Sequence, residues 1–432
     1  MSAIFSSFDY QSEWKALEAE APVNPKTALA RLDKIEKQAK NEGDVPQQLR
    51  CILSRLKFSK RVDEDALQKC IANLQKFQAR QTEPVAVAMT RYAEAMAFNS
   101  FYMENRWKYN HRTALADTVP SDMKEWTTNI FIDTVRSLCL QAVAEPALRN
   151  TKTTAYAALL EMGEESRTYR PTLYDFLLHF CIDNKGYGKG QIFTDKECEQ
   201  WYADLVEFHR NDADKSAYVN AKIEQLKNLY FSGKRKEKDY IGELKLLLDE
   251  CLKEPASILV RVELANSLYS HLLDADENSS VRTSTAEVLA VCNDGIAAFP
   301  KHPQAKCLNA VFSNMKKPEL LLELNSTSVH EGDKISFKVT YANISKLNLT
   351  LKRINCSTQD WLLKDNRRLP RKKVADFSFA LSKTDFCVKK DTILEIPAQR
   401  FGIYELVTAD NEKAEFVVSN QFVMSLDRAF NG

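Results

Sequence analysis

An array of α-helical hairpins leading into a small immunoglobulin-like β-sandwich is the fold class the sequence predicts, α first and then β in a multi-domain chain. Three observations carry that reading. Apolar residues recur every three to four positions over residues 1–317. They recur every second position in much of residues 318–432. Glycine and proline are scarce, eleven and thirteen in 432 residues, so long stretches run without punctuation. A chain of this length exceeds one compact domain, and the boundary at residue 318 divides it into a helical repeat-like region and a β-domain.

The helical elements follow in order. Asn24 is a good N-cap and Pro25 suits the first helical position. Leu29, Leu32, Ile35 and Ala39 then form one stripe that stops at Gly43. Further stripes are Leu49, Ile52, Leu53 and Leu56; Leu67, Cys70, Ile71, Leu74 and Phe77; and, after Pro84, Val85, Ala88, Met89, Tyr92 and Met96. Asp122 is placed to cap a segment carrying Trp126, Ile130, Val135 and Leu138, and Thr172 to Asp183 is a short apolar run. Helical pattern resumes at Trp201–His209, Ala217–Tyr230, Tyr240–Leu252 and Ser257–Leu273, with a last pair over about Thr283 to Met315.

One hairpin cannot bury its apolar face alone, so hairpins of this length are expected to stack into a TPR-like α-solenoid. The best local case is Ala286 to Asn309, where small residues inside a helix lead through Phe299-Pro300-Lys301-His302-Pro303 into the next helix. No strict repeat of about 34 residues runs through the chain.

After Pro318 the period becomes two. Ile335, Phe337, Val339 and Tyr341 alternate with polar residues, as do Leu347, Leu349 and Leu351. Phe377, Phe379 and Leu381, then Ile393–Ile396, Ile403–Thr408, and Phe416 with Val418 complete about seven short strands, the number expected of an immunoglobulin-like sandwich.

Composition excludes several function classes. Sixty basic against fifty-nine acidic residues leave a net charge of +1, so no global attraction to nucleic acid or an anionic membrane is expected. No apolar run reaches the roughly 18 residues of a transmembrane helix. Met1 to Tyr10 has neither the basic nor the apolar part of a signal peptide, which taken literally reads as cytoplasmic.

Ten cysteines are dispersed from Cys51 to Cys387 without Cys-x-x-Cys or histidines at ligand spacing, so no metal site is predicted and most read as small buried hydrophobes. Cys356 and Cys387 both fall in the β region and could meet across it, although spacing alone does not establish a disulfide.

Catalytic and cofactor motifs are not found: no phosphate-binding loop, dinucleotide fingerprint, zinc-protease helix or nucleophile elbow occurs. The expectation is therefore no catalytic residue, no cofactor and no metal. Gly186-Tyr187-Gly188-Lys189-Gly190 superficially suggests a phosphate cradle, yet such loops follow a strand and this one does not, so it reads as a helix connector. His179, beside Phe176 and Phe180 in an apolar run, reads as a packed histidine.

Arg367, Arg368, Arg371, Lys372 and Lys373 read as a basic loop between strands, which an acidic partner could contact. Trp107, Tyr109 and His111 read as an aromatic loop, of a composition found at protein interfaces and equally suited to covering the helical core. Sequons such as Asn343–Ser345 decide nothing.

Several stretches resemble the N-terminal region of bacterial α2-macroglobulin-like proteins of the Bacteroidetes type. They are Phe8-Asp9-Tyr10 with Trp14, Pro25-Lys26-Thr27-Ala28-Leu29, Leu173-Tyr174-Asp175-Phe176-Leu177 and the Phe299–Leu308 junction. In the β region they are Val339-Thr340-Tyr341-Ala342-Asn343 before Leu347, and Gly402-Ile403-Tyr404.

The resemblance implies that residues 318–432 form a macroglobulin-like domain, with Tyr404 anchoring a corner by its hydroxyl. It also implies an exported, cell-envelope protein that meets peptidases, of which this chain would be an N-terminal interaction or architectural segment. The thioester tetrapeptide Cys-Gly-Glu-Gln does not occur here, so covalent trapping and its residues do not carry over. The rival expectation is a cytoplasmic TPR-like scaffold or chaperone. In either case the expected partners are proteins.

Overall fold

The computed structural model describes residues 8–60, 63–110, 112, 119–163, 165–273, 283–356 and 369–420, and in these α-helices are followed by β-strands. The secondary structure changes between Met315, where the last helix ends, and Glu319, where the first strand begins. Packing divides the chain elsewhere. One compact unit comprises Met1–Lys236 with Cys251–Ala256, and the other Glu237–Glu250 with Ser257–Gly432, so four helices share a unit with the strands.

The first unit holds α1 (Tyr10–Glu20), α2 (Pro25–Glu42), α3 (Val45–Ser59), α4 (Ala66–Gln78), α5 (Pro84–Tyr109), α6 (Thr128–Val143), the short α7 (Ser166–Tyr169), α8 (Leu173–Asp183), α9 (Asp195–His209) and α10 (Ser216–Phe231). Local chemistry sets their ends. The Asn24 side chain accepts from Thr27 N, and Gly43 at φ +68° closes α2 in the left-handed conformation that glycine adopts without a Cβ clash. Asp44 and Glu83 carboxylates cap α3 and α5 through main-chain N–H groups.

Trp14, Leu17, Leu32, Ile35 and Cys51 make one cluster across α1, α2 and α3, and the buried Trp14 indole N–H donates to Gln47 Oε1 at 2.7 Å. Helix α5 buries residues on most of its circumference and packs against α4 and α6. Asp122 caps a 3₁₀ turn, Met123–Glu125, and Thr127 caps α6, one turn later than the sequence reading placed the start.

In the second unit α11 (Glu237–Glu250), α12 (Ser257–Leu273), α13 (Thr285–Ala298) and α14 (Ala305–Met315) pack successively. Gly295 on α13 lets Leu308 and Arg261 approach closely: a Cβ there would lie 2.5 Å from Leu308 Cδ1. The strands are β1 (Glu319–Leu324), β2 (Ser328–His330), β3 (Ile335–Ala342), β4 (Lys346–Ile354), β5 (Arg371–Ala380), β6 (Lys390–Ile396), β7 (Gly402–Thr408) and β8 (Lys413–Ser419). They form a three-stranded sheet ordered β1-β3-β6 and a five-stranded sheet ordered β2-β8-β7-β4-β5. All named pairings are antiparallel except β2 with β8.

The period of two predicted for β3 and β4 is the one that fills the core. Ile335, Phe337, Val339 and Tyr341 from one sheet meet Leu347, Leu349, Leu351, Tyr404, Leu406, Phe416 and Val418 from the other in a single hydrophobic cluster. Strands β1 and β2 lie outside the predicted set.

The last turn of α14 presents carbonyl groups that no helix residue can satisfy. Asn343, in the turn between β3 and β4, meets them: its Nδ2 donates to Met315 O and Lys317 O, each at 2.8 Å. The Cys387 thiol also donates to Met315 O, at 3.3 Å, and Thr285 Oγ1 of α13 donates to Phe386 O at 3.1 Å. Asn343 holds this position at φ +61°, a conformation that asparagine tolerates better than most side chains.

The sequon asparagine is thus a fastening between helix and sheet. Asn343→Gly keeps the backbone but removes both hydrogen bonds, and should lower stability by about 1–2 kcal/mol in urea unfolding. Asn343→Ala adds the left-handed strain and should cost about 1–2 kcal/mol more.

Candidate functional site

A buried cluster of ionisable groups lies in the first unit, around the start of α8. Thr172 and Asp175 form a reciprocal capping box there. Thr172 Oγ1 accepts from Asp175 N, while Asp175 Oδ2 accepts from Thr172 N at 2.9 Å and from Thr172 Oγ1 at 2.7 Å. A bridge between Lys152 and Thr172, with Thr153 N donating to Pro171 O, fixes the entry to the helix.

The other Asp175 oxygen, Oδ1, lies 2.6 Å from His209 Nε2 at the end of α9, and His209 Nδ1 lies 2.7 Å from Asp212 Oδ2 in the following turn. One helical turn along α8, His179 Nδ1 lies 2.8 Å from the Asp175 carbonyl oxygen. Its Nε2 lies 2.5 Å from Glu224 Oε2 on α10. Arg170 donates to the remaining Glu224 oxygen at 3.0 Å.

At Glu224 and His209 burial opposes charge, and specific partners overcome it. Burial alone would raise the Glu224 carboxyl, but the hydrogen bond and charge of His179, with the Arg170 guanidinium, hold it at about 2. Burial would likewise lower His209, but the hydrogen bonds and charges of Asp175 and then Asp212 lift it above the ordinary histidine value. Asp175, His179 and His209 are all 4% exposed or less.

Each ring nitrogen of both histidines faces a protein acceptor. The chemistry this arrangement performs is the joining of α8, α9 and α10. Among the described residues no group of three or more His, Cys, Asp or Glu side chains is placed to hold a metal ion.

The residues singled out from sequence fall as follows. His179 is buried as expected, but within an ion-paired chain instead of a purely apolar one, because Glu224 is brought to it from 45 positions away. Gly186–Gly190 joins α8 to α9 with no strand before it. Its turn is tight: Gly186 sits at φ +72°, where a Cβ would be 2.1 Å from Gly190 O.

Trp107 and Tyr109 belong to the last turn of α5 and not to a loop, since the helix continues to Tyr109. Tyr109 is buried with its ring 5.0 Å from Phe131, Trp107 is 69% exposed, and His111 lies outside the described residues. Arg371, Lys372 and Lys373 lie in strand β5 rather than a connecting loop, and Arg371 donates to the fully buried Glu405 at 2.7 Å. Arg367 and Arg368 lie outside the described residues. Among the described residues no disulfide forms, and Cys387 is turned toward the α14 carboxyl end instead of Cys356. No helix of the described residues is long and apolar enough to cross a membrane.

Sequence reasoning named Asp175 only within the resembling stretch Leu173–Leu177 and passed over Glu224 and Asp212. A Thr-x-x-Asp capping signature at Thr172 was readable, but the partners of Asp175 and His179 are distant in sequence.

No protein-family model matches the chain, and none of the curated proteins compared with it does. Solved structures give low-scoring likenesses. A β-glucosidase from Listeria innocua in complex with gluconolactone is 17% identical over 25% of this chain and 17% of its own length, with a TM-score of 0.17. The Pseudomonas fluorescens alkylpurine DNA glycosylase AlkC, bound to DNA containing an abasic site analog, is 11% identical over 87% of this chain and 98% of its own, with a TM-score of 0.19. At such scores neither bears on the function of this chain.

Asp175→Ala should be the most damaging change in the cluster. It strips His209 of a buried carboxylate and dismantles the capping box, for a loss of about 3–5 kcal/mol in urea unfolding. Thr172→Ala, which removes only the cap hydroxyl, should cost about 1 kcal/mol.

Proposed function

We propose that the chain is a non-catalytic protein-interaction segment of the bacterial α2-macroglobulin-like kind, in which a helical platform leads into an immunoglobulin-like, macroglobulin-type β-sandwich. The observation that carries this reading is the corner at Tyr404. Its ring is buried against Phe416, and its hydroxyl donates to Arg400 O at 2.8 Å, four residues upstream. That is the anchoring role the resemblance assigns to the Gly402-Ile403-Tyr404 stretch, in a domain whose two sheets share one core.

Peptidases of the cell envelope are the proposed partners of this segment. The inward turn of the histidines and carboxylates around Asp175 supports a role played by surfaces instead of a reactive centre.

A second reading, a TPR-like helical scaffold or chaperone, draws on the close α13–α14 crossing at Gly295. The two differ in what they bind. Incubation of the full chain with native endopeptidases of the serine, cysteine and metal-dependent classes should give saturable binding to at least one, measured by surface plasmon resonance, with no turnover of substrate by the chain. Binding only to extended peptides would favour the scaffold, and binding to neither would sink both readings.

A further inference from the structure

We propose that the helical unit is fastened by a proton-dependent latch, in which a doubly protonated His209 bridges Asp175 at the start of α8 and Asp212 in the turn before α10. The geometry requires both ring protons. Nε2 and Nδ1 each face a carboxylate oxygen, at 2.6 and 2.7 Å, and an ionised carboxylate can only accept. A neutral imidazole has one N–H and one lone pair, so its second nitrogen would confront a carboxylate oxygen with no proton between them, and one arm must part.

The arm that parts is the one to Asp212. Asp175 is fixed by Thr172 N and Oγ1, whereas the Asp212 side chain is 42% exposed and stands in the turn. That side also gives water access to a ring otherwise only 2% exposed.

Other charges near the latch are engaged elsewhere. From the 3₁₀ turn Pro146–Asn150, Arg149 lies over the rings of Tyr174 and Phe208 at 4.3 and 5.5 Å. On α9, Asp204 acts on Tyr174, Tyr202 stands 6.4 Å from the His179 ring, and Glu207 is taken up by Arg210. Lys215, before α10, donates to Arg210 O. From α6, Arg136 is held by Glu197, and Glu224 on α10 is shared by His179 and Arg170. His209 remains as the group between two carboxylates whose proton decides the contact.

The pH dependence has a definite sign. His209 is lifted above its ordinary value in the folded chain, so its contribution is complete below about 6.5, the value in an unfolded chain, and is lost as pH rises through the folded value. Glu224 is depressed to about 2, so its contribution is complete above the ordinary carboxyl value of about 4.5 and fails as pH falls toward 2. The helical unit is fastened best between these limits, in mild acid, and loosens at the α9–α10 turn on the alkaline side.

The test is a ¹⁵N-histidine NMR titration of the full chain with urea unfolding measured over the same pH range. At pH 6 the His209 ring should show two nitrogen-bound protons. Above 6.5 the folded ring should keep both while the unfolding constant rises by up to about tenfold per pH unit, and one should be lost, with the rise ending, as the folded value is passed. His209→Gln should remove that part of the slope. If this variant does not fold, Asp212→Asn, altered only at the outer arm, should shift the His209 titration down toward 6.5. A single-proton ring at pH 6, an unchanged slope in His209→Gln, or an unmoved titration in Asp212→Asn would each overturn the latch.

Discussion

A polar group taken out of water must find a partner inside the protein, because an unmet hydrogen bond or charge costs as much as many core contacts supply. Each compact unit of this chain has one residue that provides such partners where several elements converge. In the helical unit it is Asp175, whose two carboxylate oxygens serve its own helix cap and His209 of α9, while its carbonyl serves His179. In the second unit it is Asn343, which satisfies the carbonyl end of α14 from a turn of the β-region. The Asn343 contact is modest in energy, and that of Asp175 is larger. Both decide which elements pack together, since an apolar stripe accepts many neighbours whereas a buried carboxylate or carbonyl accepts few.

The same constraint shapes the functional reading. Side chains that elsewhere perform acid–base chemistry are here enclosed and directed at one another: His179 between a main-chain carbonyl and Glu224, His209 between two aspartates. The raised His209 and lowered Glu224, perturbations of a kind common in active sites, arise in this chain within a buried hydrogen-bonded network. Glu405 repeats the pattern in the sheets, fully buried and paired with Arg371.

Much of the fold was legible in the sequence because period and caps are local. The Asn24-Pro25 start and Gly43 stop of α2, the alternation of β3 and β4, and the change of period after Pro318 each depend on residues a few positions apart. Strand β1 was hidden because Leu320-Leu321-Leu322 is an unbroken apolar run without alternation, and β2 because three residues carry no period. The buried cluster was legible only in half. Thr172 and Asp175 stand at capping-box spacing, but the distant partners of Asp175 and His179 lie 34 and 45 positions away, and periodicity does not record which helix a side chain will face. For the same reason the boundary of secondary structure at Met315–Glu319 could be read, whereas the grouping of α11–α14 with the sheets could not. Asn343 drew notice as a sequon and as the end of the resembling stretch Val339–Asn343, though its work is done on carbonyls 26 and 28 positions before it.

That grouping is open to direct measurement. Native-state hydrogen exchange of the full chain across a urea series follows the opening of α14 and of β3 and β4 separately. If Asn343 and the Met315 carbonyl bind them as described, their amides converge on one opening free energy and one urea dependence. Exchange of α14 together with α1–α10, while β3 and β4 stay protected, would contradict it.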